Sequence, residues 1–293
     1  MQQRGHRMNK DKKKSIVLIF FTAVLWSTGG MLIKLVNLNP IAIAGYRSIF
    51  AALLISFFIR RSAFRFSWNK VLGAISYTAM VILFVSATKA TTAASAILLQ
   101  YTSPVYIAIL GGWLLKEKAT VKDWVVIFFV IIGMVLFFMD DISSGSLKGN
   151  ILAVLSGVAM ALNAIFMRRE KDADPLENVF WGCILTILIA IPFMVKYVPD
   201  INGWAGIGLL GIFQLGLPYI LYAKAIKHIT ALQSTFLGLI EPLLSPVWVF
   251  LTIGELPGLM SVLGGVVVLT SVTIGCIKPK NHSASEMLQQ QSS

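Results

Sequence analysis

How rarely charge interrupts this chain limits what it can fold into. Ten apolar stretches of roughly 20 residues follow one another, at 15–36, 40–59, 70–88, 93–115, 122–139, 149–167, 176–195, 203–223, 230–253 and 258–277. A helix rising 1.5 Å per residue needs about that length to cross roughly 30 Å of hydrocarbon. Charged residues make up 13% of the 293, against about 25% in ordinary soluble domains, and apolar residues make up 57%. A water-soluble globular protein is excluded. The polar connections are too short to hold a domain, so any function lies among the helices. An open sheet edge in lipid would leave backbone groups unpaired, so each stretch is read as a helix. The first run follows a basic segment as a signal peptide's would, but it is longer than an h-region and lacks a small-residue cleavage site, so it is expected to stay as the first span.

The formal net charge of +12 does not describe a nucleic-acid-binding face. With the N-terminus taken as cytoplasmic, 20 of the 25 Lys and Arg fall in the inside segments, four fall outside, and Arg47 lies within the second span. That bias places both termini in the cytoplasm, in agreement with an even number of spans. Cys183 and Cys276 both sit inside apolar runs, so neither a disulfide framework nor a thiolate metal site is expected.

An internal repeat organises the ten spans. A shift of 138 residues lays Pro104 on Pro242, Glu117 on Glu255, Lys89 on Lys227, Ala87 on Ala225 and Ala93 on Ala231, without a gap. A shift of 136 lays Trp26-Ser27 on Leu162-Asn163. Five spans per half is an odd number, so the second half enters the bilayer from the opposite side. The expected fold class is therefore all-α integral membrane, with ten transmembrane helices in two inverted-topology five-helix repeats. Its parts are a cytoplasmic basic tail (1–14), a first repeat (15–139), a second repeat (149–277) and a disordered cytoplasmic tail (278–293).

The segments AVLWSTGGMLIK (23–34), LLQYTSPVYIAILGGWLLKEKATVKDW (98–124) and LGLIEPLLSPVWVFLTIGELPGLMSVLGG (237–265) resemble the EamA family of the drug/metabolite transporter superfamily. The resemblance covers residues 15–278 and implies a ten-helix bundle whose central cavity is lined mainly by helices 1, 3, 4, 6, 8 and 9. Relatives carry amino acids, other metabolites, nucleotide sugars, quaternary amines and drugs, so membership leaves the substrate open. This chain departs from the pattern at Leu162-Asn163, where relatives often carry Trp followed by a small residue.

Glu241 stands near the middle of the ninth span beside Pro242. A carboxylate at that depth costs at least about 2.5 kcal/mol unless paired, hydrated or protonated. Desolvation favours its neutral form, so it could take up a proton on one side and lose it on the other; a structural ion pair with Arg47 or Lys34 is the alternative. Arg47 lies roughly 10 Å below the outer end of the second span. It could hold a substrate carboxylate, or instead snorkel to the surface. Trp26 and Ser27 sit too deep for an interfacial belt. Gln100, Tyr101, Asn163, Gln214 and Tyr219 are the other polar groups deep in apolar runs, enough together to coat a cavity though each could be an interhelical bond only. Pro104 and Pro242 are candidate hinges. Glu117 and Glu255 end spans at opposite faces and read mainly as solvated boundary charges.

None of the three His residues lies inside a span and no Walker A segment exists, so no metal, cofactor, direct ATP coupling or enzymatic activity is expected. The expected function is secondary active transport of a small polar metabolite across the cell (inner or plasma) membrane, most simply export or exchange of an amino acid, with proton coupling through Glu241. The alternative is an organic cation held in an aromatic cage of Trp26, Tyr77 and Tyr101 with Glu241 as counter-charge. Arg47 separates the two, since facing the cavity it attracts a carboxylate and repels a cation. A channel and an integral-membrane enzyme are distant alternatives. The partners are the bilayer and the solute, not nucleic acid; monomer and homodimer both stay open.

Overall fold

The computed structural model describes residues 2–59, 66–137, 139, 146–244, 248 and 258–276. Glu255 and the tail from 278 onward lie outside these residues. Among the described residues the ordered elements are all helical. They are α1 (Gln2–Trp26), α2 (Gly29–Leu35), α3 (Pro40–Ser56), α4 (Trp68–Ala90), α5 (Ala93–Gln100), α6 (Ser103–Leu114) and α7 (Val121–Phe137). There follow α8 (Leu147–Arg169), α9 (Leu176–Lys196), α10 (Ile201–Leu209), a π-helical segment (Leu210–Gly216), α11 (Leu217–Ala225), α12 (Ala231–Gly238) and α13 (Leu259–Cys276).

Among the described residues, six helical stretches are long and apolar enough to cross a membrane: Lys10–Leu35, Trp68–Ala90, Ser95–Leu114, Leu147–Arg169, Leu176–Lys196 and Ile201–Ala225. Pro40–Ser56, Ala231–Leu244 and Val262–Gly275 are shorter apolar helices. The bundle's outer surface is apolar, with Phe57 84%, Trp113 81% and Val195 77% exposed, which suits a lipid surround.

Local chemistry sets the helix ends. Asn39 caps α3 by accepting from the N–H groups of Ile41 and Ala42 (2.9 and 3.4 Å), with Pro40 in the first turn. Thr92 accepts from Ser95 N at 3.0 Å to start α5, and Thr230 accepts from Gln233 N at 3.1 Å to start α12. These two caps stand 138 residues apart, the offset of the sequence repeat.

Several expected helices are divided. The first apolar run breaks at Ser27-Thr28, where Ser27 Oγ donates to Val24 O (2.6 Å) and Thr28 Oγ1 to Leu25 O (2.8 Å), side-chain bonds that compete with the helical ladder. The fourth breaks at Tyr101-Thr102. Pro104 therefore opens α6 in its first turn, where its missing N–H leaves no gap, rather than bending a continuous helix. The ninth breaks at Leu239, the repeat mate of Tyr101, and Glu241 and Pro242 lie in the helical turn that follows. At the other end of the chain, the segment expected as a basic tail is helical from Gln2 onward. Lys, Arg, Gln and Met are good helix formers, and an established helix extends backward cheaply.

Across the bundle, α4 packs on α8 and α9, α3 on α9 and the π segment, α1 on α11, and α7 on α13. A buried ion pair that the sequence reading did not single out joins α4 to α9. Lys70 Nζ lies 2.7 Å from Glu177 Oε2, with side chains 10% and 0% exposed. Replacing one member by an apolar residue strands the other charge, so Lys70→Met or Glu177→Leu alone should cost about 3–5 kcal/mol, while the double replacement should cost far less. Unfolding of the purified variants in mixed micelles measures both.

Candidate functional site

A small interior cavity of about 40 Å³ lies where the divided helices meet. Trp26 reaches it from the end of α1, Arg47 from α3, and Gln100 from the end of α5. Gln214 comes from the π segment, Tyr219 from α11, and Glu241 from the turn after the break at Leu239. Met80, Val81, Phe84, Met160 and Leu215 complete the wall. A volume of this size holds a few water molecules, so a metabolite enters only if side chains or helices move apart.

Glu241 is 7% exposed and meets no cation among the described residues. Neither Arg47 nor Lys34 pairs with it, and Lys34 Nζ instead donates to Thr91 O at 2.8 Å. The partner of Glu241 is Tyr101, whose hydroxyl stands 2.6 Å from Oε2 and 2.8 Å from Gly238 O. A phenol has one proton for two acceptors. With the carboxylate ionised, Tyr101 donates to it; with Glu241 protonated, the carboxyl can donate to Tyr101, which then turns its proton to Gly238 O. The same geometry thus satisfies both protonation states without moving heavy atoms.

Arg47 is 1% exposed, so it does not snorkel to the surface. Its Nη1 donates to Gln214 Oε1 at 3.0 Å, and its Nε has no partner among the described residues. Arg47 and Glu241 therefore face one cavity, each bonded to a neutral group and neither to the other.

Aromatic rings form one wall. Trp26 meets Tyr219 edge-on with centroids 5.3 Å apart and lies 5.6 Å from Tyr222; Tyr77 packs behind Tyr219 at 5.1 Å. The expected cage of Trp26, Tyr77 and Tyr101 does not assemble. Tyr77 is fully buried beside Cys183, and Tyr101 is turned to Glu241, so neither lines the cavity. Ser27 and Asn163 are also off the wall. The Ser27 hydroxyl accepts from the Trp248 indole at 2.7 Å, and Asn163 is buried on α8 with an Oδ1 that has no partner among the described residues. Gln100 is on the wall and donates to Ser156 Oγ at 2.7 Å. The residues missed are Met80, Val81, Phe84, Met160 and Leu215; the first three lie three, four and seven positions after Tyr77 on one face of α4, a spacing that could have found them, while Met160 and Leu215 carry no such signal.

Glu117 is not simply solvated. Lys116 takes a left-handed φ of 58° after α6, and the N–H of Glu117 turns back to Gly111 O at 3.2 Å. The Glu117 carboxylate then accepts from Arg168 Nε at 2.9 Å, while Arg168 Nη1 donates to Ile226 O (2.8 Å) and Lys227 O (2.9 Å). One guanidinium so ties the end of α6 to the end of α8 and to the α11–α12 connection. Glu117→Gln, which loses only a part-exposed charge, should cost less than about 1 kcal/mol. Arg168→Met, which strips three hydrogen bonds, should cost about 2–3 kcal/mol. Thermal unfolding in detergent ranks the two.

Comparison with known proteins bears on all of this. The profile described as "EamA-like transporter family" matches residues 13–139 and again 147–275. The chain is 24% identical over 257 residues to an uncharacterized transporter of Archaeoglobus fulgidus, covering 87% of this chain and 94% of that one. It is 27% identical over 232 residues to the uncharacterized transporter YyaM of Bacillus subtilis, covering 74% and 75%. Human solute carrier family 35 member G1 is 24% identical over 197 residues, covering 59% of this chain and 54% of that one. A crystal structure at 16% identity superposes with a TM-score of 0.77 over 90% of this chain and 98% of its own, a likeness of fold.

Proposed function

Because the chain belongs to the EamA-like transporter family and is a multi-pass membrane protein, we propose that it is a secondary active transporter of a small zwitterionic metabolite, an amino acid, in the plasma membrane. The observation that carries this reading is that Arg47 and Glu241 line one cavity without pairing. An α-amino acid brings a carboxylate for the guanidinium and an ammonium for the carboxylate, and so offsets the cost of both buried charges. Substrate ammonium and proton then compete for Glu241, which makes the exchange one of solute against proton. An organic cation would meet the repulsion of Arg47 and finds no three-ring cage.

Alternating access comes from two inverted five-helix halves, 15–139 and 149–277, with both termini cytoplasmic. The pairing of α1 with α11 and of α4 with α8, the breaks at Tyr101 and Leu239, and the double family match all support this arrangement. Pro104 and Pro242, each just past a break, are the hinge positions in this scheme. Cysteines at positions 117 and 255 should label from opposite sides of the membrane; same-side labelling would overturn the inversion.

In liposomes, amino acids should exchange saturably and respond to a pH gradient, while choline-like amines and nucleobases should not exchange. Arg47→Gln should raise the amino-acid KM about ten- to a hundredfold, the loss of one charged hydrogen-bonded contact of about 1.5–3 kcal/mol. Glu241→Gln should abolish the response to the pH gradient. Exchange of amines but not amino acids would replace the substrate class, and an unaltered pH response in Glu241→Gln would remove that residue from coupling.

A further inference from the structure

Resting on the reading of Arg47 as the carboxylate site, we infer that Gln214 is the positioning residue that aims its guanidinium, and that Gly29, on the opposite side of the bundle's first break, is what lets Gln214 do so. Arg47 can only donate, so the amide oxygen of Gln214 must face it, which fixes the amide orientation; the contact is 3.0 Å. It is the one hydrogen bond that the Arg47 side chain makes among the described residues. A guanidinium on a flexible stem, held at one nitrogen by a neutral acceptor, keeps its charge and its other N–H groups for a solute.

Three features of the chain converge on that contact. Gln214 lies inside the π-helical segment Leu210–Gly216, between α10 and α11. Such a widened turn shifts side-chain register within an otherwise continuous rod, and it recurs at functional sites. Gly211 in the same segment lies against α3 at the Arg47 backbone, where a Cβ would come 2.6 Å from Arg47 O and force the two elements apart. At Gly29, the first residue of α2, a Cβ would come 2.6 Å from Gln214 Nε2 and 3.0 Å from its Cδ. The amide head thus occupies the space that a side chain at 29 would need. The atom displaced by such a side chain is the far end of a flexible group, so the fold can yield there while the Gln214–Arg47 contact cannot be kept.

The proposal makes a specific coupling testable in liposomes, with an amino acid and its methyl ester, which lacks the carboxylate, as the two solutes. The wild-type protein should prefer the acid. Gln214→Met, which keeps the volume and removes the acceptor, should raise the KM for the acid about tenfold, leave its maximal rate within about twofold, and leave the ester's KM unchanged. Gly29→Ala should do the same in the wild-type background and add nothing in a Gln214→Ala background, since no amide remains to be displaced. Elution of each variant as a single species in detergent controls for folding, and Gln214→Met, the shape-preserving change, keeps the test sound if Gln214→Ala is poorly folded. An acid preference that survives Gln214→Met, or equal costs of Gly29→Ala in both backgrounds, would overturn the role of Gln214 and leave Arg47 as the carboxylate site. Equal treatment of acid and ester by the wild type would overturn both.

Discussion

Everything polar inside this bundle answers to the cost of holding charge away from water. Near the helix ends that cost is met by opposite charge: Lys70 against Glu177, and Arg168 against Glu117 with two backbone carbonyls besides. In the centre the chain meets it differently. Arg47 rests on the Gln214 amide and Glu241 on the Tyr101 hydroxyl, neutral partners that satisfy hydrogen bonding without cancelling charge. In the proposed function, two opposite charges kept apart across one small cavity are the receptor for a solute that carries both signs. A direct ion pair between them would be cheaper for folding and useless for binding.

Irregular backbone is what brings those groups to the centre. Trp26 ends the helix before the Ser27-Thr28 turn, Gln100 ends the helix before the Tyr101-Thr102 turn, and Glu241 follows the break at Leu239 by two residues. Gln214 sits in the π segment. Non-helical backbone deep in a membrane protein is tolerable where neighbouring elements bury it, and in this bundle it marks the cavity. Two of the breaks are repeat mates, while the turn at Ser27-Thr28 corresponds in the sequence repeat to an unbroken α8 and the π segment to an unbroken α4. In the proposed two-halved transporter the halves are alike in plan and unlike at the site, so a solute would meet different chemistry on the two sides of the cavity.

Much of the site could be read before any coordinates, because charge and amide groups are so scarce in apolar runs that each one draws notice. Arg47, Glu241, Gln100, Gln214, Tyr219 and Trp26 stand out in this way and all reach the cavity. Tyr77, Tyr101, Ser27 and Asn163 stood out equally and lie behind or beside it, since depth in a span does not say which way a helix turns its face. The apolar wall of Met80, Val81 and Phe84 carried no compositional signal, only a spacing. Lys70 and Glu177 lie in the first turns of α4 and α9, and their burial depends on a partner 107 positions away.

The sequence by itself determined that this chain is a bundle of apolar helices with a duplicated plan and a few costly polar groups inside, because hydrophobic length and the expense of buried charge are properties of the chain alone. Only the tertiary structure decided that Glu241 takes Tyr101 rather than Arg47, that Gln214 holds the guanidinium, and that Gly29 makes room for it. Those choices depend on where helices break and how they rotate against one another. Breaks and rotations are set by contacts between residues far apart in the sequence, and no periodicity along the chain records them.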